Sequence, residues 1–489
     1  MLYMGIDVGS SGCKISVVNE TGALMHCSEK RYSFTYKDDK SVLDPEVVFE
    51  SVLGAIRDST AKDSLHGLVS LSVTSFGEMF VLLDENRNVL CDSISYNDRR
   101  GKAEAEALIR DVGDDKVYSI TGATVNAMYS LPKLMWIKKN WPEVYSKASK
   151  LCMFADFILI KLGAEFHMDY SLAARTLMFD VKHRCWAQDI LDYAEIKKEM
   201  LSKPVPSGAI VGQVNAEIAR KTGLPKGVLL LAGGHDQSCA ALGAGIIQEG
   251  AALDGMGSNE CIVPAFRDLM LNDTMKQSNL VCIPYVMPDM YVTYAFNRTA
   301  GTVLDWYRKL QGNISYDELF SKVEEEPSKL LFLPHFAGSA TPYMDDDAVG
   351  AVVGMSLTTS REELTKSLIE GLNYEVMVNL KCLKEAGFEV HELFASGGMS
   401  RNDKMLQVKA DILGIPVFRL ENSQTGTVAM AILGSVAAGT YKDIPEAVEK
   451  LVRRDKVFYP NEARHAGYQE MFKKYQRMYT AVKAIQGRN

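Results

Sequence analysis

Four short stretches of this sequence place glycines, in three of them beside a carboxylate, in a way that suits phosphate chemistry. Asp7-Val8-Gly9-Ser10-Ser11-Gly12-Cys13-Lys14, Asp254-Gly255-Met256-Gly257-Ser258-Asn259 and Ser396-Gly397-Gly398-Met399-Ser400-Arg401-Asn402 each place glycines just after an apolar run. Glycine permits positive φ and the close backbone approach that lets consecutive N–H groups surround an anion. Lys14 adds a point charge for phosphate. The fourth stretch, Gly233-Gly234-His235-Asp236-Gln237, sets a carboxylate where a strand should empty into a helix. Asp236 suits two roles there: a general base that accepts a hydroxyl proton, or a helix N-cap. Any one of these turns taken alone reads first as an ordinary turn, so the nucleotide reading rests on their number and on the flanking aspartates. Neither GxxxxGK[ST] nor GxGxxG after a strand occurs, so a nucleotide would be held by a different fold.

The elements that must position these residues follow from apolar patterning. Leu2 to Asp7 and Lys14 to Val18 read as two strands joined by a tight turn, a hairpin opening rather than βαβ. Further strands are expected at Gly67 to Thr74 and Met79 to Leu83, and helices at Lys133 to Lys139 and Pro142 to Ala148. Gly227 to Ala232 is the continuous run a buried strand needs, and an Ala/Gly-rich helix is expected from Ser238 to Ile247. From Ala251 the pattern starts again as strand, glycine turn, strand, which suggests a distant internal duplication and a domain boundary at Gln248-Glu249-Gly250. Leu393 to Ala395 is another strand that ends in a glycine turn, and Tyr468 to Lys483 reads as a solvated terminal helix.

The 489 residues exceed what one hydrophobic core supports, so two domains are expected, 1–247 and 248–489. A formal charge of -8 argues against a nucleic-acid partner. The long uncharged run Asn422 to Tyr441 is built from Ser, Thr, Gly and Ala, which predicts a closely packed helix rather than a membrane span. No basic n-region opens the chain, and nine scattered cysteines without a CxxC pair or zinc spacing read as free thiols in a reducing cytoplasm.

Five motifs in order carry a resemblance along nearly the whole chain: Asp7 to Lys14; Met128-Tyr129-Ser130-Leu131-Pro132-Lys133-Leu134-Met135-Trp136-Ile137; Gly233 to Gln237; Gly350 to Met355 with Leu364 to Gly371; and Ser396 to Ser400. On these the sequence resembles the FGGY carbohydrate kinases of the actin-like ATPase superfamily. The resemblance implies an α/β fold of two actin-like (ribonuclease H-like) domains, each a mixed β-sheet flanked by helices, with the active site in the cleft between them. It implies ATP and Mg²⁺ as cofactors and a small sugar as substrate, most often a pentulose or hexulose, with glycerol, erythritol or gluconate as alternatives. A non-catalytic sensor or scaffold of the same superfamily, or an ATPase that drives a partner protein, is the rival reading. A homodimer is compatible with the resemblance.

Carried over residue by residue, the resemblance implies that Asp236 is the catalytic base and that Asp7 with Asp236 stands near the metal. Gly9, Ser10, Ser11 and Lys14, with Gly257 and Ser258 from the second domain, resemble the residues that hold the ATP phosphates. Gly301, Gly397, Gly398, Met399 and Asn402 resemble the ribose and adenine wall, although Met399 equally reads as core. For the acceptor the resemblance implies Gly77, Glu78, Met79, Tyr96, Asn97, Asp98, Asp236 and Gln237. Ion pairing is the alternative for Glu78 and Asp98, the latter because Arg99 and Arg100 follow it. The acceptor segment departs from both familiar patterns: xylulokinases usually carry Gln-Met-His where this chain has Gly77-Glu78-Met79, and glycerol kinases carry Arg-Glu. His235 stands where many relatives have a small residue, and it reads equally as a substrate contact or as packing.

Overall fold

The structure, a computed structural model, describes residues 1–37, 40–62 and 65–488. The opening hairpin is β1 (Leu2–Gly9) and β2 (Gly12–Asn19), paired antiparallel from Leu2↔Asn19 to Gly9↔Gly12. β3 (Leu24–Arg31) extends it antiparallel on the far side of β2. After helix α1 (Pro45–Lys62), β4 (Leu68–Ser75) lies parallel to β1. Helices α2 (Ser130–Asn140), α3 (Phe154–Leu162) and α4 (Tyr170–Ala174) precede β5 (Ile210–Gln213) and β6 (Leu229–His235), and β6 runs parallel to β4. The first sheet has the order β5-β6-β4-β1-β2-β3. Tyr3, Met4, Ile6 and Val8 of β1 are all buried, as befits a central strand covered on both faces.

Helix α5 (Asp236–Gly243) leads into a second sheet built on the same plan. Its hairpin is β7 (Ala251–Met256) and β8 (Glu260–Phe266), and β9 (Ile283–Pro284), β10 (Tyr291–Val292) and β11 (Ala295–Asn297) follow. Helices α6 (Gly301–Leu310) and α7 (Arg361–Glu385) separate these from β12 (Glu392–Ser396), which pairs parallel to β7. After α8 (Asp403–Leu413) comes β13 (Val417–Leu420), parallel to β12, and the antiparallel β14 (Arg454–Phe458) closes the edge. The path β10-β8-β7-β12-β13-β14 repeats the strand directions of β3-β2-β1-β4-β6-β5: two antiparallel steps, two parallel steps and an antiparallel edge. The strand-turn-strand similarity in sequence therefore has a repeated topology behind it, and the fold is α/β with two mixed sheets flanked by helices.

Between β13 and β14 the chain returns to the first sheet. α9 (Thr425–Ala437) and α10 (Ile444–Leu451) place Val428, Met430, Leu433 and Val448 in the same apolar core as β1 and β4. The contact is tight because small residues allow it. A Cβ on Gly5 would lie 2.8 Å from the Thr427 carbonyl oxygen, and one on Gly243 would lie 1.8 Å from that of Thr425. Residues 425–451 thus pack with the first body although they follow the second in sequence. The uncharged run is the packed helix expected, and no helix among the described residues is long and apolar enough to cross a membrane. The C-terminal segment differs from the solvated helix expected. It forms α11 (Glu462–Tyr475) and α12 (Met478–Ile485), and the first buries Tyr468, Phe472 and Tyr475 against Tyr374 of α7. Polar residues between these aromatics hide the buried stripe from a simple polarity reading.

Candidate active site

The strand expected to stop at Ala232 continues to His235, so Asp236 is the first residue of α5 rather than its cap. Asp236 Oδ1 accepts the Gln237 N–H at 2.6 Å, and the side chain keeps 29% of its surface exposed. It faces a cavity of about 520 Å³ between the two bodies. One wall comes from the first body: Asp7, Gly9, Ser10, Ser11, Gly12 and Lys14 of the opening hairpin, with Asp236 and Gln237. Gly397, Gly398 and Arg401 of the turn after β12, with Ser423 to Gly426 at the start of α9, form the other.

Gly257 and Ser258 are exposed at the neighbouring β7–β8 turn, where the Gly257 carbonyl oxygen accepts the Gly301 N–H at 3.1 Å. A Cβ on Gly301 would stand 2.7 Å from that oxygen, and one on Gly397 would stand 2.5 Å from the Met256 oxygen, so glycine is what lets the three turns converge. Met399 is half-buried against the second core. Asn402 accepts the Met405 N–H through Oδ1 at 3.1 Å, which makes it the N-cap of α8.

Electrostatically the cavity sets Asp7, Glu29 and Asp236 beside Lys14 and Arg401. Burial raises Asp236 to about 7, with further upward pushes from the charges of Asp7 and Glu78. Burial likewise raises Asp7 to about 6 against the downward pull of Lys14, its cross-strand partner. Two carboxylates that resist ionising side by side fit a divalent cation, which would relieve both. Among the described residues no group of three or more His, Cys, Asp or Glu could hold a metal by itself. Mg²⁺ does not call for such a group, since it keeps waters and uses one or two carboxylates together with phosphate oxygens.

The residues expected to hold the acceptor divide. Glu78 is buried with φ +66°, its main-chain oxygen accepts the Ser130 hydroxyl at 2.7 Å, and its carboxylate pairs with Arg175 of the segment after α4, Nε to Oε1 at 2.6 Å. Gly77 is required beside it, because a Cβ there would lie 2.8 Å from Arg175 Cγ and 3.0 Å from His235 Cδ2. Tyr96 is half-buried, its hydroxyl bonds to Ser10, and burial raises it, as do the nearby charges of Glu78 and Asp236.

The other three are placed differently. Met79 is fully buried in the first core. Asn97 is exposed. Asp98 is sealed in a structural pair: Oδ1 accepts Arg100 Nε at 2.9 Å, and Oδ2 accepts Arg100 Nη2 at 2.6 Å and the Ser41 N–H at 2.8 Å. With both oxygens engaged, Asp98 holds the 95–100 loop to Ser41 in the short strand Lys40–Leu43 and is not free for a sugar hydroxyl, which corrects that expectation.

Two groups around Asp236, Arg175 and Tyr294, carried no sequence signal, and His235 joins them. Arg175 lies over the rings of Tyr129 and Tyr294 at 5.0 and 5.5 Å from their centroids. Tyr294, from the second body, meets His235 Nδ1 at 2.9 Å and Ser238 Oγ at 2.7 Å. His235 Nε2 stands 3.3 Å from Asp236 Oδ1, but burial and then the Arg175 charge hold the imidazole well below its usual range, so it is a neutral neighbour. Its main-chain N–H donates to Ser171 Oγ at 2.9 Å, and Ser171 is fixed in turn by Asp169. These residues come from four separate segments, and only folding brings them together.

Comparison with known proteins agrees with this architecture. Residues 2–243 match the N-terminal domain, and 268–438 the C-terminal domain, of the FGGY family of carbohydrate kinases. The xylulose kinase of Bacillus subtilis (strain 168) is 28% identical over 489 residues, 99% of this chain and 97% of its own. The crystal structure of ligand-bound xylulose kinase from Lactobacillus acidophilus superposes with a TM-score of 0.92 at 24% identity, covering 99% of this chain and 98% of that one. Gluconate kinase from the same organism superposes equally well, TM-score 0.92 at 24% identity, with 99% and 98% covered. With both halves matched and the cleft between them lined by glycine turns and carboxylates, the chain belongs to the FGGY family of carbohydrate kinases and is an ATP-dependent sugar kinase.

Proposed function

We propose that the enzyme phosphorylates a hydroxyl of a pentulose or hexulose, with Asp236 as general base. The observation that carries this reading is the place of Asp236: at the start of α5, open to the cleft, and beside Asp7 on one side and the Glu78 pocket on the other. A carboxylate raised to about 7 is poised to take a proton near neutral pH. As the acceptor oxygen attacks the γ-phosphorus, the bond from that phosphorus to the leaving ADP oxygen breaks and the hydroxyl proton passes to Asp236.

The remaining assignments follow from position. Gly9, Ser10, Ser11 and Lys14 hold phosphates from the first body, and Gly257 and Ser258 do so from the second. Gly398, with nothing within 4 Å of its Cβ direction, leaves room for the nucleoside, and Gly301 and Gly397 let the neighbouring turns converge beside it. Asp7 and Asp236 would hold Mg²⁺, which when bound supplies neutralisation of charge on the transferred group. Glu78, Tyr96 and Gln237 border the acceptor, and closing the two bodies on it excludes the water that would otherwise compete. Division of labour follows the two bodies, 1–247 for the sugar and 248–489 for the nucleotide, with 425–451 packed back on the first.

The deciding measurement is ADP release with Mg-ATP across ketoses, aldoses, polyols and sugar acids against a no-sugar blank. A ketose that raises the rate well above the blank is the expected result. Steady hydrolysis that no acceptor accelerates would sink the reading.

A further inference from the structure

The deepest unassigned chemistry beside Asp236 is the contact between Glu78 and Arg175, two buried side chains 97 positions apart in sequence. Each keeps only 7% of its side-chain surface exposed. The backbone is built around the pair: Glu78 sits at positive φ, and Gly77 lacks the Cβ that would strike Arg175. Tyr129 and Tyr294 cover the guanidinium, so its orientation is set by rings from two different bodies of the protein. Within this enclosure Arg175 Nη1 is buried and makes no well-aligned hydrogen bond, although the Tyr129 hydroxyl also interacts with the guanidinium. A buried donor left unpaired is costly, and a ligand oxygen that satisfies it recovers that cost.

We propose that the Glu78–Arg175 pair sets the acceptor class: it admits an uncharged polyhydroxy compound, whose hydroxyl or carbonyl oxygen accepts from Arg175 Nη1, and turns away sugar acids. This rests on the reading that the acceptor binds beside Asp236. Arg175 has already spent its charge on Glu78, so an incoming carboxylate finds no free cation. It would instead stand near the carboxylates of Glu78, Asp236 and Asp7 in a site where burial weakens screening. A neutral oxygen meets Nη1 without displacing Glu78. Arginine can serve both partners at once because its planar fork carries five donors.

The test compares uncharged sugars with sugar acids of the same chain length, a ketopentose and a ketohexose against the matching aldonic acids, on the wild-type enzyme with Mg-ATP. The uncharged compounds should exceed the acids in kcat/KM by about tenfold or more. Glu78→Gln keeps the shape and removes the charge, freeing Arg175 for a carboxylate, so the ratio should move towards the acids by about tenfold while nucleotide affinity without acceptor stays unchanged. A wild-type enzyme that prefers an acid, or a Glu78→Gln enzyme that loses both classes in equal proportion, overturns the proposal. Glu78→Asp, which keeps the charge, should retain the preference for uncharged compounds, and should Glu78→Gln not fold, the wild-type comparison of the two classes decides. Calorimetric binding of the two classes with a non-hydrolysable ATP analogue keeps the question separate from turnover. If no acceptor raises ADP release, the proposed reaction fails, yet a preference for uncharged ligands in binding would still support the pair's role, and a preference for acids would still refute it.

Discussion

The hairpins that open the two sheets carry an aspartate at comparable places, and the two have opposite fates. Asp7, near the end of β1, looks into the cleft and has Lys14 opposite it on β2. Asp254, in β7, is fully buried, and Lys409 from α8 reaches it at 2.6 Å while also meeting Glu260 of β8 at 2.7 Å. Burial alone would strip Lys409 of its proton, but the charges of Asp254 and Glu260 outweigh it and hold the ammonium above the usual lysine range. One plan of strands thus yields a carboxylate available for chemistry and another consumed in fastening a helix to its sheet. What separates them is the cover: Gly426 of α9 stands beside Asp7 without a side chain and lines the same cavity, whereas Lys409 of α8 reaches over Asp254.

If this division holds, substitutions in the cleft should cost turnover and substitutions in the sealed triad should cost stability. The largest effect is expected for Asp236→Asn, a loss of about 10² to 10⁴ in kcat with nucleotide binding and unfolding midpoint retained. Near-normal turnover in that variant would remove Asp236 from the mechanism. Next comes Lys409→Met, which leaves two buried carboxyls unmatched and should destabilise the protein by about 3 to 5 kcal/mol in a urea titration. An unchanged midpoint would mean that the triad contributes nothing net.

A smaller effect concerns pH. Asp7 and Asp236 are raised to about 6 and about 7, so they hold protons more tightly folded than unfolded. The stability they contribute is full below about pH 4 and is lost as pH rises through about 6 to 7. Mg²⁺ with ADP should therefore raise the melting temperature more at pH 8 than at pH 5.5. Equal shifts would show that the two carboxylates do not face the cation. The smallest change in activity is expected for Asp98→Asn. It weakens the grip of Arg100 and should cost about 1 to 3 kcal/mol of stability, with acceptor KM altered less than about threefold. A large rise in KM with an unchanged midpoint would restore Asp98 to the acceptor site.

Much of the frame was legible along the chain because it is local. Tight turns need glycine at particular positions, and strands that end in such turns are visible as apolar runs, so Asp7 to Lys14, Asp254 to Asn259 and the turn at 396–402 were all placed correctly between strands or before a helix. Polarity alone misread the C-terminal helix, since Tyr468 and Tyr475 are fully buried among charged neighbours. It also left Asp98 among the acceptor groups, because ion pairing with Arg100 becomes exclusive only when Ser41 closes the second oxygen.

By itself the sequence determined that two strand-and-turn units recur, that glycines and carboxylates suited to phosphate lie at their ends, and that Asp236 stands between a buried strand and an Ala/Gly-rich helix. Only the tertiary structure decided that Arg175 neutralises Glu78, that Tyr294 from the second body reaches His235, and that α9 returns to roof the first sheet. The reason is separation: these contacts join residues about 60 to 400 positions apart, and their energies come from burial and charge in a shared volume that no local pattern encodes.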